Sequence, residues 1–227
     1  MRRLRAFVVV LVSLVLPALA AGQGITTTRT VNLDADPALE QVIPQEVCTS
    51  FMSEATAAAC APEQYPQHRV VIADTCNNAP YAVVVSSVQD TVDRLVIANL
   101  DGLTSRPEIF FDMRSGASGR VGDTRILRWD DPASAGACPR VRTLFRYPSR
   151  KTRGRIPRGA KYRDSYSVHP GEFTKRYPGK EVRLIETYVD RNDPFCCPSF
   201  KRTSYFGYSR SKDAYQRYST RVKRIKK

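Results

Sequence analysis

Val31-Asn32-Leu33-Asp34-Ala35-Asp36, followed by Leu39-Glu40-Gln41-Val42, returns as Ala98-Asn99-Leu100-Asp101-Gly102-Leu103, followed by Pro107-Glu108-Ile109-Phe110. The two Asn are 67 positions apart. Each copy reads as a strand, an acidic turn and a second strand, and further strand signals follow before the next copy. That is the content of a four-stranded antiparallel meander. Outward from the two copies, short runs rich in Val, Ile, Thr, Tyr and Phe recur along the chain. They lie at 25–32, 41–47, 69–73, 81–86, 95–99, 108–113, 124–129, 141–147, 182–189, 203–208 and 215–222, most of them bounded by Gly, Pro, Asn or Asp. The expected fold is mainly β: two meander or blade-like antiparallel units, then a C-terminal β-hairpin region. One or two short helices are expected, the candidates being Thr49–Ala59, which is rich in Ala, and Pro170–Tyr177, which opens on Pro and stops at Pro178-Gly179.

The 227 residues are 42% hydrophobic and include six Cys, which excludes a disordered chain, a collagen-like repeat and a small disulfide knot. One apolar run stands out, from Ala6 to Ala21. It is preceded by Arg2, Arg3 and Arg5 and carries the small residues Ala18 and Ala20, so it reads as a signal peptide over 1–20 rather than a span. Export is the expected address. The rest, 21–227, is read as one β-rich domain with an electrically divided surface. Residues 21–138 carry 8 Lys+Arg against 15 Asp+Glu, whereas residues 139–227 carry 25 against 7 and hold nine of the 11 Tyr.

Export accords with the cysteines, whose spacing fits no zinc pattern, so Cys48, Cys60, Cys76, Cys138, Cys196 and Cys197 are read as disulfide partners. If all six pair, the early three and the late three are both odd in number, and at least one bond must cross between them. The shortest crossing is Cys76 to Cys138.

The two acidic turns resemble the hairpin turns of FG-GAP and VCBS repeats, the β-propeller-type modules of integrin α-chains and many secreted bacterial proteins. The likeness covers roughly residues 25–130. The chain is too short for a seven-bladed propeller, so what the resemblance implies is blade-like hairpins and a calcium ion in the turn. The C-terminal part, with Cys196-Cys197-Pro198-Ser199 before an aromatic hairpin, is similar to the ends of some bacterial envelope proteins and lipoproteins of unknown function.

In the first turn Asn32, Asp34, Asp36 and Glu40 stand at positions one, three, five and nine, with the Ala38 carbonyl at position seven. Alternate groups on a curled loop converge on one point, as Ca²⁺ with its six to eight oxygens requires. The alternative is an ordinary acidic turn whose side chains bond the backbone. In the second turn Leu103 replaces the fifth-position acid and Glu108 is displaced by one.

The basic half offers two dense clusters, Arg150, Lys151, Arg153, Arg155 and Arg158, and Arg221, Lys223 and Arg224 near the C-terminus. Interleaved with Tyr, they suit an anionic envelope polymer or lipid headgroups. The alternative is a solvated face. Nucleic acid is not an expected physiological partner of an exported chain.

Catalytic signals are sparse. His68 and His169 read as exposed or capping, and Ser115-Gly116-Ala117-Ser118-Gly119 lacks the spacing of a hydrolase elbow. The functional expectation is a secreted or envelope-associated, non-catalytic binding protein with calcium as its only cofactor. The competing reading is a secreted hydrolase with Asp34, or Asp101 and Glu108, in a cleft.

Overall fold

A computed structural model of the chain describes residues 25–34, 38–49, 54–55, 65–87, 89, 91–103, 106–115, 121–130, 137–150, 152–173, 179–191 and 198–225. The signal-peptide reading, Asp36, Lys151, Cys60, Cys196, Cys197 and the side chain of Cys48 fall outside them.

The described residues form thirteen strands and no helix. The first sheet contains β1 (Arg29–Val31), β2 (Glu40–Thr49), the two-residue β3 (Glu54–Ala55), β4 (Tyr65–Cys76) and β5 (Ala79–Val84), in the order β1-β2-β4-β5 with β3 paired to β2. The second is a meander of β6 (Thr91–Ala98), β7 (Glu108–Ser115), β8 (Val121–Asp130) and β9 (Arg140–Tyr147). The third is a meander of β10 (Ala160–Phe173), β11 (Lys180–Asp190), β12 (Phe200–Ser209) and β13 (Ala214–Arg224). Every pairing is antiparallel.

The sheets stack face to face with the second in the middle. Ile109, Phe111, Met113, Leu127 and Trp129 of the second sheet share a core with Val42, Val70 and Ile72 of the first. Phe110, Ile126, Phe145 and Tyr147 share another with Val182, Leu184, Phe206 and Tyr215 of the third. Covering on both sides explains β7. Its run Glu-Ile-Phe-Phe-Asp-Met is buried at every position, whereas β12, covered on one side, alternates buried Arg202, Ser204 and Phe206 with more exposed Lys201, Thr203 and Tyr205. Each large apolar side chain so buried contributes about 1.5–3 kcal/mol.

Both candidate helices are overturned where they are described. Thr49 ends β2, and Glu54–Ala55 folds back to pair with Cys48 and Thr49, so the Ala-rich stretch begins as a hairpin. Pro170 to Phe173 complete β10, with Pro170 opposite Val182. The Pro that reads as a helix start is tolerated here because β10 is an edge strand, where a missing amide donor breaks no ladder. The C-terminal region is therefore a full four-stranded meander rather than a hairpin.

Cys76 pairs with Cys138 across 62 residues, with Cα atoms 5.4 Å apart. The crossing between the early and late cysteines is thus present. It ties the end of β4 in the first sheet to the segment entering β9 in the second.

Candidate functional site

The two acidic turns occupy the same place in their sheets. Glu40 pairs with Val31 and Glu108 with Ala98, each Glu opening the second strand of its meander. The Glu40 carboxylate accepts the Leu33 amide through Oε2, and Glu108 Oε2 accepts the amides of Leu100 and Asp101 at 2.6 and 3.0 Å. A buried carboxylate drawn back onto its own turn is the shared device.

The third strand then brings different chemistry to the same spot. One residue beyond the Gln41–Ala73 pair stands Asp74; one residue beyond the Ile109–Leu127 pair stands Arg128. In the first sheet Asp34, Glu40 and Asp74 converge, with one carboxylate oxygen of each lying within 4.8 Å of the others. Glu40 is 0% exposed, and its Oε1, like Asp74 Oδ2, is buried without a hydrogen-bond partner. Burial pushes the Glu40 pKa up, the Leu33 amide opposes the rise, and repulsion from Asp34 and Asp74 adds to it. Asp34 has a further interaction of its own.

In the second sheet a positive charge is built in. The Arg128 guanidinium donates to Asp101, to Asp213 at 2.8 Å and to the Tyr208 hydroxyl at 2.9 Å, and its Nε lies 3.7 Å from Glu108. Burial works against its charge, but the contacts with Tyr208 and Asp213 outweigh it and raise its pKa. Asp101 Oδ1 also accepts the Leu103 amide at 2.8 Å, and Asn99 accepts the Gly102 amide at 2.7 Å. These bonds are those of an acidic turn bonded to its own backbone, although Glu108 Oε1 and Arg128 Nε, 3.7 Å apart, are buried without a hydrogen-bond partner. Gly179 closes it from the third sheet: its φ is +81°, a Cβ there would meet Asp101 O at 2.3 Å, and the next amide, of Lys180, bonds Leu100 O at 2.7 Å. Asp101 and Glu108 are both fully buried, and Arg128 lies against both.

Of the five ligands expected from the first turn, the structure unites Asp34 and Glu40, leaves Ala38 exposed, and adds Asp74, which no local spacing announces. Asn32, Asp34 and Ala38 each make a further interaction.

The basic residues divide. Arg150, Arg153, Arg155 and Arg158 are exposed on the segment between β9 and β10. Arg221 and Lys223 lie on the outer face of the third sheet, the face turned away from the core. There Lys201 is directly opposite Lys223 and Thr203 opposite Arg221, and with Tyr205 they line a depression of about 170 Å³. The Arg221 guanidinium lies 5.9 Å from the Tyr205 ring centre. Arg224 turns to the other face, over Phe200 and 3.0 Å from Asp190. Sequence order thus grouped Arg224 with a face it does not share, and missed Lys201, Thr203 and Tyr205, which strand register supplies. His169 lies on β10 with Nε2 3.0 Å from Ser167 Oγ; burial, and then Arg94 and Arg183, lower its pKa.

No protein-family model, no curated protein and no solved structure matches this chain.

Proposed function

We propose that this chain is a secreted or envelope-associated, non-catalytic binding protein that presents the outer face of its third sheet to anionic polymers or lipid headgroups. The observation that carries this reading is the Lys201–Lys223 pair. Like charges directly opposite each other on a sheet are destabilising, and among the described residues neither Lys forms an ion pair. Arg221 adds a third cation two residues along the strand, about 6.8 Å away. A polyanion laid along β12 and β13 neutralises all three, and Tyr205 offers it a ring face. Co-sedimentation of the mature protein with purified envelope polymers and with anionic vesicles, at low and high salt, tests the reading. Retention that is absent at low salt overturns it.

The first acidic turn holds a Ca²⁺ ion in this reading, with Asp34, Glu40 and Asp74 as its carboxylate ligands. Support comes from the convergence of one oxygen from each of Asp34, Glu40 and Asp74 within 4.8 Å, and from the buried, unpartnered Glu40 Oε1 and Asp74 Oδ2. The sequence resemblance of the two acidic turns to those of FG-GAP and VCBS repeats accords with a calcium ion there. Export follows from the leading apolar segment and accords with the Cys76–Cys138 bond; N-terminal sequencing of the mature protein tests it, with a start near Ala21 as the expected result.

A further inference from the structure

The segment between β9 and β10 is fastened at several points. Thr152 is buried, and its hydroxyl donates to Arg146 O at 2.8 Å. Further on, the buried Arg202 guanidinium donates to Arg155 O. Arg202 is itself fixed from below, with Nε 2.7 Å from Glu186 Oε2 and its guanidinium 5.0 Å from the centre of the Tyr188 ring.

Between this segment and the third sheet lies a cleft of about 390 Å³, lined chiefly by Arg153, Ile156, Arg163, Glu186, Tyr188 and Arg202. It has the size of a small-ligand site. Gly154 forms part of its wall because a Cβ there would come within 2.7 Å of Arg202 Nη1 and 3.0 Å of Arg217 Nη1.

The charge in the cleft is unbalanced. Three guanidiniums face one carboxylate, and both oxygens of Glu186 are already used, Oε1 by the Tyr147 hydroxyl at 2.7 Å and Oε2 by Arg202. Arg163 donates to the Tyr147 hydroxyl, reaches Glu186 at 3.9 Å and lies over the Tyr147 and Tyr166 rings, 5.3 and 5.4 Å from their centres. Arg153 stands exposed at the mouth. The surplus is two positive charges, carried by planar forks that match oxyanions.

We propose that this cleft binds a dianionic oxyanion group, phosphate or sulfate, with Arg153 and Arg163 as its direct partners and Arg202 as the buried positive floor. The cleft lies on the opposite face of β12 from Lys201, Thr203 and Tyr205, so it is separate from the polymer-binding surface and goes beyond that reading.

The test is calorimetric titration of the mature protein with inorganic phosphate, inorganic sulfate, glycerol phosphate and acetate at constant ionic strength. One saturable site per chain is expected for phosphate or sulfate, with acetate at least tenfold weaker. Arg153→Gln alters an exposed side chain and should weaken binding at least tenfold with the fold intact by circular dichroism. Gly154→Val, which fills the wall, should do the same. The triple change K201S/R221S/K223S should leave phosphate binding unaltered even if it abolishes polymer binding. Glycerol phosphate binding as tightly as phosphate marks a pendant phosphate as the source; binding of the inorganic ions alone marks the free ion. Absence of saturable binding, equal affinity for acetate, or full binding by Arg153→Gln overturns the proposal.

Discussion

Replacing Arg128 with Ala removes the cation that contacts Asp101, Glu108 and Asp213 together. Asp101 and Glu108 have no exposed side-chain surface, and the Arg128 side chain is itself only 14% exposed. Breaking a buried ion pair by deleting one partner costs about 3–5 kcal/mol, because the other charge is left uncompensated. Against a total stability of about 5–15 kcal/mol for a protein of ordinary stability, that is a large fraction. It corresponds to a Tm lower by about 6–20 °C for a chain of this size. Thermal and urea unfolding followed by circular dichroism at pH 8 measure it. Arg142→Ala is the control, since Arg142 is half exposed and its pairs with Asp130 and Asp213 should be worth less than about 1 kcal/mol. Arg128→Asp carries the reasoning further. It recreates in the second sheet the three-carboxylate arrangement of the first, so Ca²⁺ should restore part of the stability that it loses. A loss below about 1 kcal/mol for Arg128→Ala, or equal losses for Arg128→Ala and Arg142→Ala, would refute the argument that this guanidinium stands in for a cation.

Three further outcomes are expected. Ca²⁺ at ten times a Kd of about 10⁻⁴–10⁻³ M should stabilise the wild type by roughly 1.4 kcal/mol, read as a higher Tm, and Asp34→Ala or Asp74→Asn should abolish the rise; no shift at several millimolar Ca²⁺ returns the first turn to an ordinary acidic turn. Glu108, pushed up from 4.5 to about 7 chiefly by burial, holds its proton more tightly folded than unfolded. Its contribution is therefore fullest below pH 4.5 and declines as pH rises to about 7, by at most about 1.4 kcal/mol per unit, and Glu108→Gln should remove that slope from the stability profile. Cys76→Ser opens the loop closed by the bond to Cys138 and should cost about 4 kcal/mol in denaturant unfolding, while non-reducing peptide mapping of the wild type should recover the two cysteines linked.

The β character was legible because alternation is local. Tyr205 and Thr203 point one way and Phe206 and Ser204 the other, and the sequence shows this without help. The repeat was legible for the same reason, since a turn and its flanking strands are contiguous. β10 was hidden by a misleading local signal, because Pro170 looked like a helix start when the edge position is what admits it. The site was half legible. Asp34 and Glu40 share a turn, whereas Asp74 reaches them through the register of β2 on β4, and Lys201 reaches Lys223 through that of β12 on β13. No spacing rule along the chain encodes a register across it. The fully buried state of Asp101 and Glu108 was illegible for a related reason, because burial comes from the third sheet, whose Gly179 and Tyr215 close on the turn at Asp101 and Leu100.

Binding in this reading resides on the outer face of the third sheet. Affinity for one purified anionic polymer, measured by co-sedimentation across a salt series, tests this placement most directly when wild type, K201S/R221S/K223S and a loop variant with Arg150, Arg153, Arg155 and Arg158 changed to Ser are compared. Exposed charges are screened beyond about 8 Å at physiological ionic strength, so wild-type binding should weaken steeply with salt. The sheet variant should lose most of its affinity and salt dependence while the loop variant keeps most of both. Undiminished binding by the sheet variant, or salt-independent retention of the wild type, would contradict that placement.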